Sequence, residues 1–178
     1  MKHTRLLLPL LALTLVSLGC STDSDTASTD SSIDPGNCPA TPVAVVVTVD
    51  QWGDIVEQLG GDCAQVTTVI EGSSADPHDY EPTPGDTAKF EDAQLVVVNG
   101  LDYDHWAEKA VDGLDPAPAV VDGGKVVGLE EGDNPHIWYG PEYIQQISSA
   151  ITTQLKKLAP EASDYFNEQA AAWQTAMK

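Results

Sequence analysis

Two loops of this 178-residue sequence carry a histidine directly after a proline. Residues 76–84 read DPHDYEPTP, and residues 134–138 read NPHIW. Proline restricts its own φ and the residue before it, so the backbone that carries His78 and His136 has little freedom. A neutral imidazole is the commonest metal ligand, and neighbouring carboxylate or amide oxygens can hold its tautomer. The residue types suit a divalent metal, although a lone loop histidine is more often a solvated or capping residue than a ligand.

The two histidines are 58 residues apart, so only the fold can bring them together. Apolar, β-branched runs alternate with segments of helical spacing, which is the pattern of βαβ units in a doubly wound α/β sheet. Ligands of such sheets lie beyond the carboxyl ends of the strands, where loop 71–84 is expected. The predicted strands are 43–49, 66–70, 95–98 and 119–121, with a small edge strand at 125–129, and the predicted helices are 51–59, 85–92, 105–111 and 141–158.

Together with the run LVVVNG at 95–100 and the Gly60-Gly61-Asp62 turn, the two motifs resemble the metal-binding lipoproteins that serve ABC importers of zinc or manganese. The resemblance extends from Val43 to the carboxyl terminus. It implies a mostly parallel four-stranded sheet that forms one lobe of a bilobal periplasmic-binding-protein-like fold. In such proteins one long helix joins the lobes and the metal lies between them, and the amino-terminal lobe supplies two ligands, which map to His78 and His136.

The resemblance places the third and fourth ligands in a carboxyl-terminal lobe. We expect residues 38–158 to form the amino-terminal lobe and residues 159–178 to begin the interlobe helix, because bulky apolar residues continue to Lys178 without a capping residue. The chain is thus expected to stop inside that helix, with the second lobe absent. Near the ligands, we expect Asp76, Glu81 and Asn134 outside direct coordination, with Asp79 or Glu81 as substitute ligands at most.

The first 19 residues are predicted to be a signal peptide, with Lys2 and Arg5 ahead of an apolar stretch. The sequence before Cys20 resembles a bacterial lipobox, which predicts a lipidated Cys20; a signal peptide cut elsewhere is the alternative. Residues 20–37, rich in Ser, Thr and Asp, are predicted to be a flexible linker. In the oxidising space outside the cytoplasm, Cys38 and Cys63 are expected to form a disulfide, the alternative being two buried free thiols.

The charge pattern excludes several functions. The chain has 8 Lys and Arg against 28 Asp and Glu, a net charge of −20, which opposes binding to nucleic acid or to an anionic membrane surface. Contact with the membrane is therefore expected through the lipid anchor alone. We find no phosphate-binding glycine loop, Gly-x-Ser-x-Gly motif, Cys-x-x-Cys motif or His-Glu-x-x-His motif, so no enzymatic activity is predicted. Two weaker candidates, His105 and the acidic loop 130–133, are predicted to be a partly exposed helix residue and a solvated surface.

The predicted function is that of the extracytoplasmic solute-binding component of an ABC importer. It would bind Zn²⁺ or Mn²⁺ as the transported ligand and deliver it to a membrane permease. Two alternatives remain at this stage. One is a surface adhesin or interaction lobe with a structural metal, and the other is a zinc-dependent hydrolase.

Overall fold

The computed structural model describes residues 36–178. They form a four-stranded sheet in which every neighbouring pair of strands is parallel, in the order β2-β1-β3-β4. The predicted α/β class and the parallel sheet are confirmed. The predicted signal peptide at 1–19, the predicted lipid attachment site Cys20 and all but the last two residues of the predicted linker at 20–37 lie outside the described residues. The strands are β1 (Val43–Val49), β2 (Ala64–Ile70), β3 (Leu95–Val98) and β4 (Ala119–Asp122).

Six α-helices are found in the described part of the chain. The first, second, third and fifth agree with the four predicted segments, each to within one residue at either end. None of the helices among residues 36–178 is long and apolar enough to cross a membrane. The helices are α1 (Asp50–Gly60), α2 (Pro84–Glu91), α3 (His105–Val111), α4 (Gly123–Val127), α5 (Pro141–Leu158) and α6 (Ser163–Ala176).

The strand order creates a switch point between β1 and β3. The chain moves from β1 to β2 in one direction, then crosses back over β1 to β3 and continues to β4. Because such crossovers are right-handed, α2 and α3 lie on the face of the sheet opposite α1. Helix α5 packs against α1, β3 and β4, and α6 packs against α1 and α5. The loops that follow β1 and β3, after Val49 and Val98, therefore leave the sheet on opposite faces. The crevice between them is where ligands of such sheets bind.

Burial follows the apolar runs that identified the strands. All four residues of β3 and six of the seven residues of β1 are buried, as expected for strands covered on both faces. On α5, Ile147, Ile151 and Leu155 are fully buried along one stripe, which is the 3.6-residue periodicity of an amphipathic helix.

One element was predicted wrongly. The segment 125–129, expected as an edge strand, contributes to α4 and the turn after it. The side chain of Asp122 accepts a hydrogen bond from the backbone N–H of Lys125 at 3.0 Å and so caps the helix. Gly128 then ends it in the left-handed conformation, with φ of 72°.

The predicted disulfide is present. Cys38 and Cys63 are joined with a Cα–Cα distance of 5.0 Å, closing a loop with a sequence separation of 25. Cys63 directly precedes β2 and Cys38 precedes β1, so the bond lies at the amino ends of the strands. The histidine loops are at the opposite edge of the sheet.

Candidate metal site

The first histidine loop is held by two aspartates. Asp76 accepts a hydrogen bond from the backbone N–H of His78 at 3.0 Å, which begins a short 3₁₀ helix at Pro77–Asp79. Asp50, the first residue after β1, accepts from the backbone N–H of Gly72 at 2.8 Å. The loop is thus tied to the end of β1, while the His78 side chain stays exposed.

The second loop repeats this local arrangement and adds a contact to the imidazole ring. Asn134 Oδ1 accepts from the backbone N–H of His136 at 3.0 Å and lies 2.8 Å from His136 Nδ1. The backbone bond identifies this atom as the amide oxygen, which can only accept. Nδ1 of His136 therefore carries the proton, and Nε2 keeps its lone pair for a metal.

Tyr103 lies between the two histidines. Its ring centroid is 4.7 Å from that of His78 and 6.1 Å from that of His136, both edge to face. Trp138 completes the cluster, 5.2 Å from Tyr103 and from His136. Tyr103 is buried whereas both imidazoles are exposed. The fold therefore gathers residues that are distant in the sequence onto one accessible patch.

The Tyr103 hydroxyl stays protonated at neutral pH. Burial of the ring raises its pKa above the ordinary value, and the carboxylates of Asp76, Asp104 and Asp50 raise it further. A neutral phenol is a poor metal ligand, so Tyr103 offers the two imidazoles a packing surface rather than an anionic oxygen.

A buried polar network supports this patch. Asn99, which follows β3, donates from Nδ2 to the carbonyl oxygens of Pro135 at 3.0 Å and Gly100 at 3.1 Å, and accepts from Trp52 Nε1 at 3.3 Å. The Asp104 carboxylate accepts from the Thr48 hydroxyl at 2.5 Å and from the backbone N–H groups of Asn99 and Gly100 at 2.7 and 2.9 Å.

Asp104 is fully buried. Burial raises the pKa of its carboxyl group to about 6; the three hydrogen bonds oppose this shift and the charge of Asp122 adds to it. Desolvation of the charged form thus dominates over the hydrogen bonds that favour it.

The turn between Asn99 and Asp104 has an uncommon backbone. Gly100, Leu101 and Asp102 have φ values of 75°, 59° and 61°, all in the left-handed region, where two of the three residues carry a Cβ. Such strain persists only where surrounding contacts hold it. Tyr103 is the next residue, and its N–H donates to the Gly100 carbonyl at 3.1 Å.

The other sequence candidates make none of the hydrogen bonds or ring contacts of this patch. Asp79 and Glu81 are exposed. His105 begins α3, with Nδ1 3.4 Å from Asp102 Oδ1, and the neighbouring Trp106 is buried in the core. Residues 130–133 form an exposed turn closed by a bond from the Glu130 N–H to Asp133. Within residues 36–178, no three His, Cys, Asp or Glu side chains are grouped so as to hold a metal.

Sequence reasoning missed Tyr103, Asn99 and Asp104 as residues of the site. One signal for Asn99 is present in the sequence, namely an amide directly after a fully apolar strand at the predicted switch point. Nothing in the local sequence links Asp104 to Thr48, which is 56 residues away, and only the pairing of β1 with β3 brings them together.

Comparison with known proteins gives one family match. Residues 45–178 match the family model ZnuA, described as zinc-uptake complex component A, periplasmic. The iron-binding protein YfeA of Yersinia pestis is 32% identical over 145 residues, covering 75% of this chain and 45% of that protein. The high-affinity zinc uptake system protein ZnuA of Bacillus subtilis is 29% identical over 173 residues, covering 86% and 52%. Further relatives are named as manganese-binding lipoproteins.

Solved structures agree with the fold. The metal-dependent lipoprotein YcdH from Bacillus subtilis superposes with a TM-score of 0.68 at 30% identity, covering 76% of this chain and 52% of that one. The chain spans about half the length of the curated relatives that it matches. Coverage of 76% of this chain but only about half of YcdH fits a single lobe. The described residues form that lobe around a parallel sheet.

Proposed function

We propose, from the premise that this chain belongs to the ZnuA family of metal-binding transport proteins, that it captures a divalent transition metal and delivers it to a membrane permease. One observation carries the proposal: two exposed imidazoles from loops 58 residues apart pack against the same Tyr103 ring. The proposed ligands are His136 through Nε2 and His78 through an imidazole nitrogen. The metal is cargo, and no reaction is proposed.

The donor set favours a borderline ion. Imidazole nitrogen suits zinc, whereas added carboxylate ligands shift preference towards manganese. Relatives are named for zinc, manganese and iron, and we propose Zn²⁺ or Mn²⁺ for this chain. Two imidazoles fill half of a tetrahedral shell. We propose that a carboxyl-terminal lobe, of the kind the family resemblance implies, supplies the remaining ligands, with residues 159–178 leading towards it.

The proposed location is outside the cytoplasm. Several relatives are named as lipoproteins, and Cys20 is the proposed lipid attachment site after removal of residues 1–19. The acidic linker at 20–37 would then tether the lobe to the membrane surface near the permease.

Calorimetric titration of the full chain with Zn²⁺ and with Mn²⁺ tests metal binding. We expect His78→Ala and His136→Ala each to lower the affinity at least about tenfold, because each removes one direct ligand. His105→Ala is the matched control, since it removes an imidazole that does not contact Tyr103, and should bind as the wild type does. Equal binding by all four proteins would contradict the assignment of the site.

Delivery to a permease needs a second experiment in cells. Deletion of the gene should lower uptake of the same metal, and excess external metal should restore growth. His78→Ala should fail to complement the deletion while His105→Ala succeeds. Complementation by both variants would contradict a transport role for this site.

A further inference from the structure

We propose that Asn99 and Asp104 are positioning residues that set the separation of the His78 and His136 imidazoles. The proposal rests on the proposed function, because it takes those two histidines as the ligands. It adds two buried residues: Asn99 holds the backbone of the second histidine loop, and Asp104 holds the turn that carries Tyr103, the ring against which both imidazoles pack.

Asn99 acts directly on the second loop. Its side chain is fully buried, and the Trp52 indole N–H, which can only donate, fixes the amide oxygen at 3.3 Å. The amide nitrogen must then face the carbonyl of Pro135, to which it donates at 3.0 Å. Pro135 is the residue before His136 and has little backbone freedom of its own. The bond therefore fixes the position of the His136 backbone, from which the imidazole extends, relative to the end of β3.

Asp104 acts on the turn that carries Tyr103. Its two carboxylate oxygens take the backbone N–H groups of Asn99 and Gly100, and one of them also takes the Thr48 hydroxyl of β1. These bonds close the turn across residues in the left-handed conformation, a geometry that Leu101 and Asp102 do not prefer. Tyr103 directly follows these residues, so the closed turn places its ring against His78 and His136.

The hydrogen bonds of Asn99 and Asp104 hold backbone groups next to His136 and Tyr103. Asn99 holds the carbonyl before one histidine, and Asp104 holds both the Asn99 backbone and the turn before Tyr103. By contrast, all four residues of the neighbouring strand β3 are buried with apolar side chains. A buried amide and a buried carboxylate here are costly to desolvate, which is expected where geometry matters more than stability.

Two nearly isosteric variants test the proposal in the full chain. Asn99→Asp keeps an oxygen for Trp52 but cannot donate to the Pro135 carbonyl, and Asp104→Asn cannot accept from all three donors. Thr48→Val removes a single bond to the same carboxylate and serves as a milder variant that preserves the core. Tyr165→Phe is the matched control, because it removes a hydrogen bond to the Asp62 backbone at the opposite edge of the sheet.

The first measurement needs no metal. In chelator-treated protein, nuclear Overhauser effects between the Tyr103 ring and both imidazoles report the spacing directly. We expect the wild type and Tyr165→Phe to show both sets, and Asn99→Asp and Asp104→Asn to lose those to His136. Retention of every cross-peak in both folded variants would overturn the proposal. If either variant does not fold, the weakening of the same cross-peaks in Thr48→Val decides the matter.

The second measurement is the affinity for Zn²⁺ alone. Asn99→Asp and Asp104→Asn should each bind about tenfold more weakly, in the range seen for residues that orient metal ligands, with Thr48→Val in between and Tyr165→Phe unchanged. Affinity that falls only in proportion to the unfolded fraction would indicate a merely structural role and overturn the proposal. If wild-type binding does not depend on His78, the proposed function fails, and the metal-free spectra still test the positioning role.

Discussion

The two edges of the sheet are built in different ways. At the amino edge, the Cys38–Cys63 disulfide and the bond between the Asp62 N–H and the Tyr165 hydroxyl, 2.9 Å long, tie the strand starts to each other and to α6. At the carboxyl edge, exposed imidazoles lie above a buried amide and a buried carboxylate, beside a turn with three left-handed residues. The amino edge thus uses a disulfide and an exposed hydrogen bond between distant residues, whereas the carboxyl edge contains costly polar burial and backbone strain.

We infer from this difference that the amino ends of the strands stabilise the fold, whereas the carboxyl ends carry the proposed metal site. Sites that bind or react commonly break local rules of packing, and the rest of the fold compensates for the cost. Changes at the amino edge should therefore alter unfolding but not metal affinity, whereas changes at the carboxyl edge should alter metal affinity.

Removal of the disulfide is the largest test of this division. The double variant Cys38→Ser, Cys63→Ser should lose about 3 kcal/mol of unfolding free energy, because the crosslink no longer restricts the unfolded chain. Urea denaturation measures the loss, and calorimetry should show Zn²⁺ affinity unchanged in the folded protein. A drop in affinity of tenfold or more would show that the edges are not independent.

The pH dependence of stability shows the cost at the carboxyl edge. The pKa of Asp104 is raised to about 6 in the folded protein, so the folded state keeps a proton that the unfolded state loses near pH 4. Stability from this group is therefore present at low pH and is lost as the pH rises through 6. Relative to Asp104→Asn, the wild type should lose about 2–3 kcal/mol between pH 4 and pH 7. Parallel stability curves for the two proteins would contradict this expectation.

The two histidine loops allow a finer test within the carboxyl edge. Asn134→Ala removes the acceptor of the His136 ring proton and should lower Zn²⁺ affinity about tenfold with little change in unfolding. Asp76→Ala is the matched change in the first loop, and its effect should be smaller, because within residues 36–178 the Asp76 side chain bonds to the His78 backbone and not to the imidazole ring. Nitrogen chemical shifts of the His136 ring should show a mixed tautomer in Asn134→Ala alone. A larger effect from Asp76→Ala would show that the His78 loop, not the His136 ring, limits binding.

The smallest effect is expected at the start of α2. Thr83 accepts from the Asp86 N–H at 3.2 Å, and Asp86 accepts in return from the Thr83 N–H at 2.9 Å. Thr83→Ala removes half of this capping box and should cost about 1 kcal/mol in urea denaturation. Metal affinity should not change, because these bonds remain within the first turn of the helix. A fall in metal affinity would show that the start of α2 also supports the proposed metal site.

The sequence predicted the parts of the fold that depend on local patterns. The apolar, β-branched run VAVVVTV is typical of a strand buried on both faces, and His78 and His136 stood out by their prolines and by a family resemblance. The prediction for segment 125–129 was wrong because its apolar residues also fit a short strand. The features that decide the structure there are the Asp122 cap and the left-handed Gly128, and both favour a helical turn.

The support of the site could not be predicted in the same way. Asn99 meets Trp52 and Pro135, and Asp104 meets Thr48, across separations of 36 to 56 residues. Those contacts depend on the register between β1 and β3, which places Val47 opposite Val97. The spacing of residues along the chain does not show which polar side chains will meet once two strands pair in a given register.

The strand order also determines when the two imidazoles can act as a chelate. In a flexible chain, ligands 58 residues apart are separated by roughly 40 Å on average, so each would meet a metal ion independently. Pairing of β3 beside β1 brings both against Tyr103 and so raises the effective concentration of one imidazole around an ion held by the other. Bidentate capture by the two proposed ligands is therefore expected only of the native topology, and in a chain whose β1 and β3 have not paired we expect each histidine to bind a metal alone.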